Sequence, residues 1–341
     1  MTAAAGLPSL RAGHDVLLLD LDGTVYQGPE VIPGAREALE AGDERQLYVT
    51  NNASRSPAEV AEHLRELGFD AADEDVVTSS QSAARLLSEQ LDPESAVLVV
   101  GTEALCAEVE KVGLRAVRRF ADGPVAVVQG HSPATDWAIL AEATLAIRAG
   151  ALWIAANVDS TLPTERGLVL GNGSMVAALR TATGREPVVA GKPAAPLMHD
   201  ALERAGASKP LVVGDRLDTD IAGANAVGVE SLLVLTGVST TADLLRASVD
   251  HRPTYIASSL EALNRPAVES AVTVHPGWQA DFEAGDLVVR SVDIGDDATE
   301  RTTAGAFLTV LAAAWAHPEF VRIRAVDTEA RAAVSALIGG L

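Results

Sequence analysis

The chain has a single cysteine, Cys106, in 341 residues. No internal disulfide can form, and such usage suits a reducing compartment. With no second thiol near it in sequence, Cys106 reads as a small buried hydrophobe rather than a nucleophile. Basic residues are scarce: 26 Lys and Arg face 47 Asp and Glu, a formal net charge of −21. That balance argues against nucleic acid or an anionic membrane as a partner. A chain this acidic must create positive charge locally to bind any anion, through a metal, a lysine or backbone amides. The N-terminal stretch MTAAAGLPSLRAGHD lacks an apolar run of signal-peptide length. The late apolar run 304–315 is too short to span a bilayer, so a cytoplasmic location is expected. There is no P-loop, no GxGxxG and no zinc pattern, and the seven histidines show no metal-ligand spacing. No internal repeat or low-complexity tract stands out.

The chain is organised around residues 14–24, HDVLLLDLDGT. Val16, Leu17, Leu18, Leu19 and Leu21 surround Asp20, and so short an apolar run predicts a buried parallel strand. It ends on two carboxylates, Asp20 and Asp22, with Gly23 and Thr24 to turn the chain. Carrying two acids out of a sheet core costs desolvation energy unless something offsets it. A bound cation would do so, and the C-terminal edge of a parallel strand is where α/β proteins place ligands.

Strand and helix patterns then alternate, with strands at 45–49, 76–78, 96–100, 125–128, 152–155, 211–213 and 231–235. That alternation predicts an α/β protein with a doubly wound, Rossmann-like parallel sheet. The pattern restarts near residue 84, and the missing parts of the first sheet return only after Pro187. The expected organisation is therefore a core in two parts, 14–83 and 187–264, around an inserted α/β cap, 84–186. A small C-terminal α+β module, 265–341, follows. Its strand–helix–strand–helix order resembles part of an acetyltransferase-like fold, but no glycine-rich pyrophosphate loop accompanies it. Within it, Phe307, Leu308, Leu311 and Trp315 recur at helical spacing and read as core.

Four pieces fall at predicted strand ends or helix starts: Asp20-Leu21-Asp22-Gly23-Thr24, Thr50-Asn51-Asn52, Gly191-Lys192-Pro193, and the run 214–220, GDRLDTD. In this order and spacing they resemble the four motifs of the haloacid-dehalogenase-like (HAD) hydrolases, in the subfamily with a large α/β cap inserted between the second and third motifs. The resemblance covers residues 15–264. It implies that Asp20 is a nucleophile towards phosphorus and Asp22 a general acid and base. Relatives that cleave carbon–halogen bonds, and P-type ATPases, lack an acid at the position of Asp22, so an acid there points to an alcohol leaving group. The resemblance also implies a Mg²⁺ ion held by Asp20, the backbone carbonyl of Asp22 and Asp215, with Asp220 behind them. Thr50, Asn51, Asn52 and Lys192 are expected to bind phosphate. Standing alone, TNN would read as a turn and cap, and Asp218 as charge complementing a helix N-terminus.

The cap loop 157–163, NVDSTLP, lies where such relatives recognise substrate, often with Asn-Pro-Asp; here Val158 replaces the proline. Asn157, Asp159 and Arg166 are the specificity candidates, against the alternative of a solvated turn. Residues 171–173 read as the turn and cap of a helix starting near Ser174. The stretch 162–184 is similar to that of HAD phosphatases of glycerol 3-phosphate and phosphoglycolate. The expected activity is thus Mg²⁺-dependent hydrolysis of a small phosphorylated metabolite, glycerol 3-phosphate first and phosphoglycolate or another small phosphomonoester second. Phosphotransferase or mutase chemistry is one alternative, and a ligand sensor with residual phosphatase activity is another. A homodimer is compatible with the sequence.

Overall fold

The computed structural model describes residues 7–164, 166–294 and 301–338. The chain forms two compact units: one holds residues 1–27, 31–45 and 208–341, the other residues 28–30 and 46–207.

In the first unit, parallel strands lie in the spatial order Tyr255–Ala257, Glu230–Val234, Pro210–Gly214, Val16–Leu19. All four residues of Val16–Leu19 are buried, as expected of a strand covered on both faces. Its register against Pro210–Gly214 pairs Val16 with Pro210 and Leu19 with Val213. The Asp20 N–H continues the ladder to the Val213 carbonyl at 2.8 Å. Asp20 and Asp215 therefore leave adjacent strands at the same sheet edge.

Residues after 265 share a core with this unit. Leu217, Ile221, Leu244 and Leu245 pack in one cluster with Trp278, Leu287, Phe307, Leu311 and Phe320. The helix Thr303–Ala316 follows Thr302, whose hydroxyl caps the Gly305 N–H. Trp315 donates its indole N–H to the Leu244 carbonyl at 2.9 Å. Strand Asp286–Ser291 pairs antiparallel with Trp278–Glu283 and parallel with Arg322–Ala325. Trp278–Glu283 escapes sequence pattern because only Trp278 of its WQADFE stretch is buried, and Asp281 and Glu283 interrupt its apolar residues.

The second unit holds the parallel pair Arg45–Thr50 and Val76–Thr78 and a five-stranded parallel sheet. Its order is Val188–Val189, Leu152–Ala155, Ala126–Gln129, Ala96–Val100, Arg115–Val117. Side chains alternate: Val97 and Val99 enter one cluster, with Cys106, and Ala96, Leu98 and Val100 enter the other. Cys106 is buried, as its composition-level reading anticipates, and burial raises its thiol pKa. Helix Pro57–Glu66 starts with a Ser56–Glu59 capping box and Ser79–Ser88 with Thr78–Gln81.

Two local expectations change. The stretch read as loop after Asn157 contains an antiparallel pair, Thr161–Thr164 and Gly167–Leu170; Pro163 and a fully exposed GLVL strand hide it from pattern reading. The helix expected from Ser174 begins at Asn172, with Gly171 as N-cap. Asn172 is buried, and its amide donates to the Asn157 carbonyl at 2.7 Å and the Gln129 carbonyl at 3.3 Å. No helix among the described residues is long and apolar enough to cross a membrane.

Asp15 fastens the start of the first strand. It accepts hydrogen bonds from the Ser208 hydroxyl and N–H and from the Lys209 N–H. These lower its pKa from 3.8 to about 2, the Ser208 hydroxyl contributing most. Since the folded pKa is depressed, the contribution is complete above 3.8 and disappears as pH falls towards about 2. Asp15→Asn is expected to melt below wild type near neutral pH. The gap should close through that acidic window, as thermal denaturation across a pH series would show.

Candidate active site

At the edge of the first unit's sheet, Asp20, Asp215 and Asp220 each present a carboxylate oxygen, all within 4.8 Å of one another. Asp215 and Asp220 are buried and Asp20 half-buried. Each is placed by a separate device. Asp20 is carried by its strand. Asp215 accepts the Val238 N–H at 2.6 Å on Oδ2, and its carbonyl accepts the Ser239 N–H at 3.1 Å. Asp220 lies in the π-helical turn Leu217–Ile221 and accepts the Arg216 N–H at 3.1 Å. Ser239 also binds the Leu217 N–H through its hydroxyl at 3.0 Å, tying the two loops together.

Glycines leave room for these carboxylates. Gly23 has φ +89°, and a methyl there would stand 2.7 Å from Asp215 Oδ2. A methyl at Gly214 would overlap Asp220, and one at Gly237 would overlap Asp215. Gly237→Ala is expected to cost about 1–3 kcal/mol through this overlap, read as a lowered midpoint in chemical denaturation.

Three like charges this close repel, and two of them are out of water. A divalent cation relieves that repulsion. The donor set contains only carboxylate oxygen, which suits Mg²⁺ or Ca²⁺ and not thiolate- or imidazole-seeking metals. Asp220, expected behind the ligands, offers its oxygen within the same span as the other two. The Asp22 side chain is exposed and stands outside this trio. Asp218 pairs instead with Arg216, 2.8 Å away. Burial, the largest single influence, pushes its carboxyl up, but the hydrogen bonds and charge of Arg216, with smaller help from a backbone N–H and the charge of His251, together hold it below the usual range.

The second unit gathers the remaining motif residues. Thr50 is buried at the end of its strand, and its hydroxyl accepts the Asn52 N–H at 3.1 Å, leaving its proton to be donated elsewhere. The Asn52 amide oxygen accepts the Ser54 N–H and hydroxyl at 2.8 and 2.7 Å, so this side chain shapes the turn. Lys192 is 2% exposed and donates from Nζ to the Val49 carbonyl at 2.9 Å. Asn51 bonds to both Lys192 and Asp159. Asn157 is buried and donates to the Asn51 carbonyl at 2.6 Å. Arg166 lies exposed beside the hairpin strands, its N–H on the Thr164 hydroxyl.

Sequence reasoning missed residues 236–239. Thr236 donates to the Gly23 carbonyl at 2.6 Å, and Gly237, Val238 and Ser239 shape the pocket around Asp215. The available signal was position: Thr236-Gly237 follows a strand ending at the same sheet edge as Asp20 and Asp215.

Residues 17–115 match the model of a haloacid dehalogenase-like hydrolase family, and residues 189–263 match a second HAD-hydrolase-like model. The D-glycerol 3-phosphate phosphatase of Mycobacterium tuberculosis is 55% identical over 335 residues, covering 96% of this chain and 95% of that protein. A crystal structure of a glycerol phosphate phosphatase from Mycobacterium tuberculosis with magnesium matches with a TM-score of 0.92 at 55% identity, covering 97% of this chain and 99% of that one. An acid sugar phosphatase of Staphylococcus aureus is 39% identical over 261 residues, which is 98% of its own length but 75% of this chain. Both family models stop before the C-terminal residues from 265 onward, whereas the mycobacterial match runs over nearly the whole chain. On its motifs, its parallel-sheet core and these matches, the chain belongs to the haloacid dehalogenase-like hydrolases.

Proposed function

We propose that this chain is a Mg²⁺-dependent phosphatase that hydrolyses glycerol 3-phosphate, with Asp20 carrying the phosphoryl group between two displacements. The observation that carries the reading is the 55% identity, over nearly the whole of both chains, with a D-glycerol 3-phosphate phosphatase. The all-oxygen carboxylate trio supports the metal, and the magnesium complex of a similar protein agrees with it.

In this reading a carboxylate oxygen of Asp20 bonds to phosphorus while the bond to the glycerol oxygen breaks. Asp22 gives its proton to the departing alkoxide. Water then bonds to phosphorus, Asp22 takes the proton back, and the bond to Asp20 breaks, releasing inorganic phosphate. The Thr50 hydroxyl, the Asn51 N–H and the Lys192 ammonium are assigned to the phosphoryl oxygens, whose charge they offset. Asp20, the Asp22 carbonyl, Asp215 and Asp220 are assigned to Mg²⁺, which supplies charge neutralisation and orientation. Arg166 stays assigned to substrate recognition, and Asn52 and Asn157 to shaping the loops around the phosphate-binding residues. The division into core (14–83 and 187–264), cap (84–186) and C-terminal module (265–341) belongs to the same reading, as do a cytoplasmic location and a homodimer, which light scattering would measure.

The test is a panel of phosphomonoesters, including glycerol 3-phosphate, phosphoglycolate and sugar phosphates, assayed with and without Mg²⁺ in ¹⁸O-water. Preference for glycerol 3-phosphate, dependence on Mg²⁺ and label in the released phosphate support the proposal. A sugar phosphate or phosphoglycolate preferred over glycerol 3-phosphate would overturn the substrate, and phosphoryl transfer to another acceptor without labelled phosphate would overturn the reaction.

A further inference from the structure

The Asn51 side chain pairs with both backbone groups of one residue. Its Oδ1 accepts the Lys192 N–H at 2.8 Å, and its Nδ2 donates to the Lys192 carbonyl at 3.0 Å. This two-way match fixes the lysine's backbone in register as a strand neighbour would. The close approach depends on Gly191, where a methyl would meet Asn51 Oδ1 at 2.5 Å and the Ala156 carbonyl at 2.6 Å. Nδ2 also faces the Asp159 carboxylate, at 3.3 and 3.2 Å from its two oxygens. The amide has two orientations, and Asp159 discriminates between them. Flipped, the Asn51 oxygen would face a carboxylate and a carbonyl, and its NH₂ would face the Lys192 N–H. Asn157 adds a second tie from the same loop, donating to the Asn51 carbonyl at 2.6 Å, and Ser79 a third at 2.6 Å.

We infer that Asp159 is a positioning residue for Lys192: through the Asn51 amide, the loop 157–159 sets where the lysine's backbone sits and hence where its ammonium is delivered. The inference rests on the proposed phosphatase reading for its kinetic consequence but not for its structural one. It gives Asp159 a task separate from recognising the substrate, and it makes the cap loop a determinant of turnover.

The experiment compares wild type, Asp159→Ala, Asp159→Asn, Asn51→Asp and the double variant Asn51→Asp/Asp159→Asn, all in the full chain with Mg²⁺. Asp159→Ala should lower kcat about tenfold, by the same factor for glycerol 3-phosphate and p-nitrophenyl phosphate, with KM little changed. Asn51→Asp should lose about a hundredfold, because it sets a second carboxylate against Asp159 and the Lys192 carbonyl. The double variant, which exchanges donor and acceptor between the two positions, should recover about tenfold of that loss. Independently of turnover, hydrogen exchange at the Lys192 amide should accelerate about tenfold in Asp159→Ala while strand Leu152–Ala155 stays protected. Unchanged exchange at Lys192, or strictly additive losses in the double variant, overturns the inference. So does a loss confined to KM and different for the two substrates, which would assign Asp159 to substrate contact. Wild type inactive on both substrates, with Lys192 exchange still responding to Asp159, refutes the phosphatase reading and leaves the positioning inference standing.

Discussion

Asp20→Asn is expected to lower phosphate release from glycerol 3-phosphate by about 10⁴-fold or more, while the protein stays folded. The amide is nearly isosteric with the carboxylate, and the ladder contact that places residue 20 uses its backbone N–H, so the fold keeps its register. What is lost is the anionic oxygen that must bond to phosphorus, together with one member of the trio that suits a divalent cation. The two losses separate by measurement. If Asp20 served the cation alone, raising Mg²⁺ would restore a large share of the rate. As the nucleophile, its replacement persists at any Mg²⁺ concentration. The check is steady-state kinetics over a Mg²⁺ series, with circular dichroism to confirm folding.

Asp215→Asn should act through the cation. Asp215 is buried, its Oδ2 is held by the Val238 N–H, and Gly23 and Gly237 keep the space around it open. Removing its charge is expected to weaken Mg²⁺ binding by about 10²-fold, raising the Mg²⁺ concentration needed for half-maximal rate in proportion. Stability reports the same event without catalysis. A ligand at about a hundred times its Kd stabilises a folded protein by about 2.7 kcal/mol, so Mg²⁺ should raise the wild-type melting temperature. In Asp215→Asn that rise should be nearly abolished at the same Mg²⁺ concentration. An equal rise in both proteins would remove Asp215 from the metal site.

The acidic half of the site was legible because its chemistry follows chain geometry. A fully buried apolar strand running into Asp20, and a second running into Asp215, must end at one edge when they pair in parallel, and they do. Thr50 and Lys192 were legible only through the order and spacing of the four motifs, since TNN standing alone reads as a turn and cap; both are buried. The residues that hold these groups were not. Gly237, Val238 and Ser239 act through a backbone N–H, a missing side chain and a hydroxyl, none of which has a pattern in sequence. Asn51 was read as a phosphate contact, yet its side chain makes longer-range ties, to residues 108 and 141 positions away. Asn172 looked like part of a turn because Gly flanks it on both sides, but tertiary contacts with Gln129 and Asn157 draw it into the helix start. Strand 167–170 is exposed throughout and lacks the alternation that burial imposes, and its partner 161–164 has a proline in its sequence, so no periodicity betrayed the pair.

Rapid acid quench of the enzyme during turnover of ³²P-labelled glycerol 3-phosphate, followed by peptide mapping, tests the two-displacement route at its intermediate. Label should appear on the peptide carrying Asp20, rise before phosphate release reaches its steady rate, and vanish in Asp20→Asn. Turnover of the substrate with no label on that peptide at any quench time, or with label on a different residue, would contradict it.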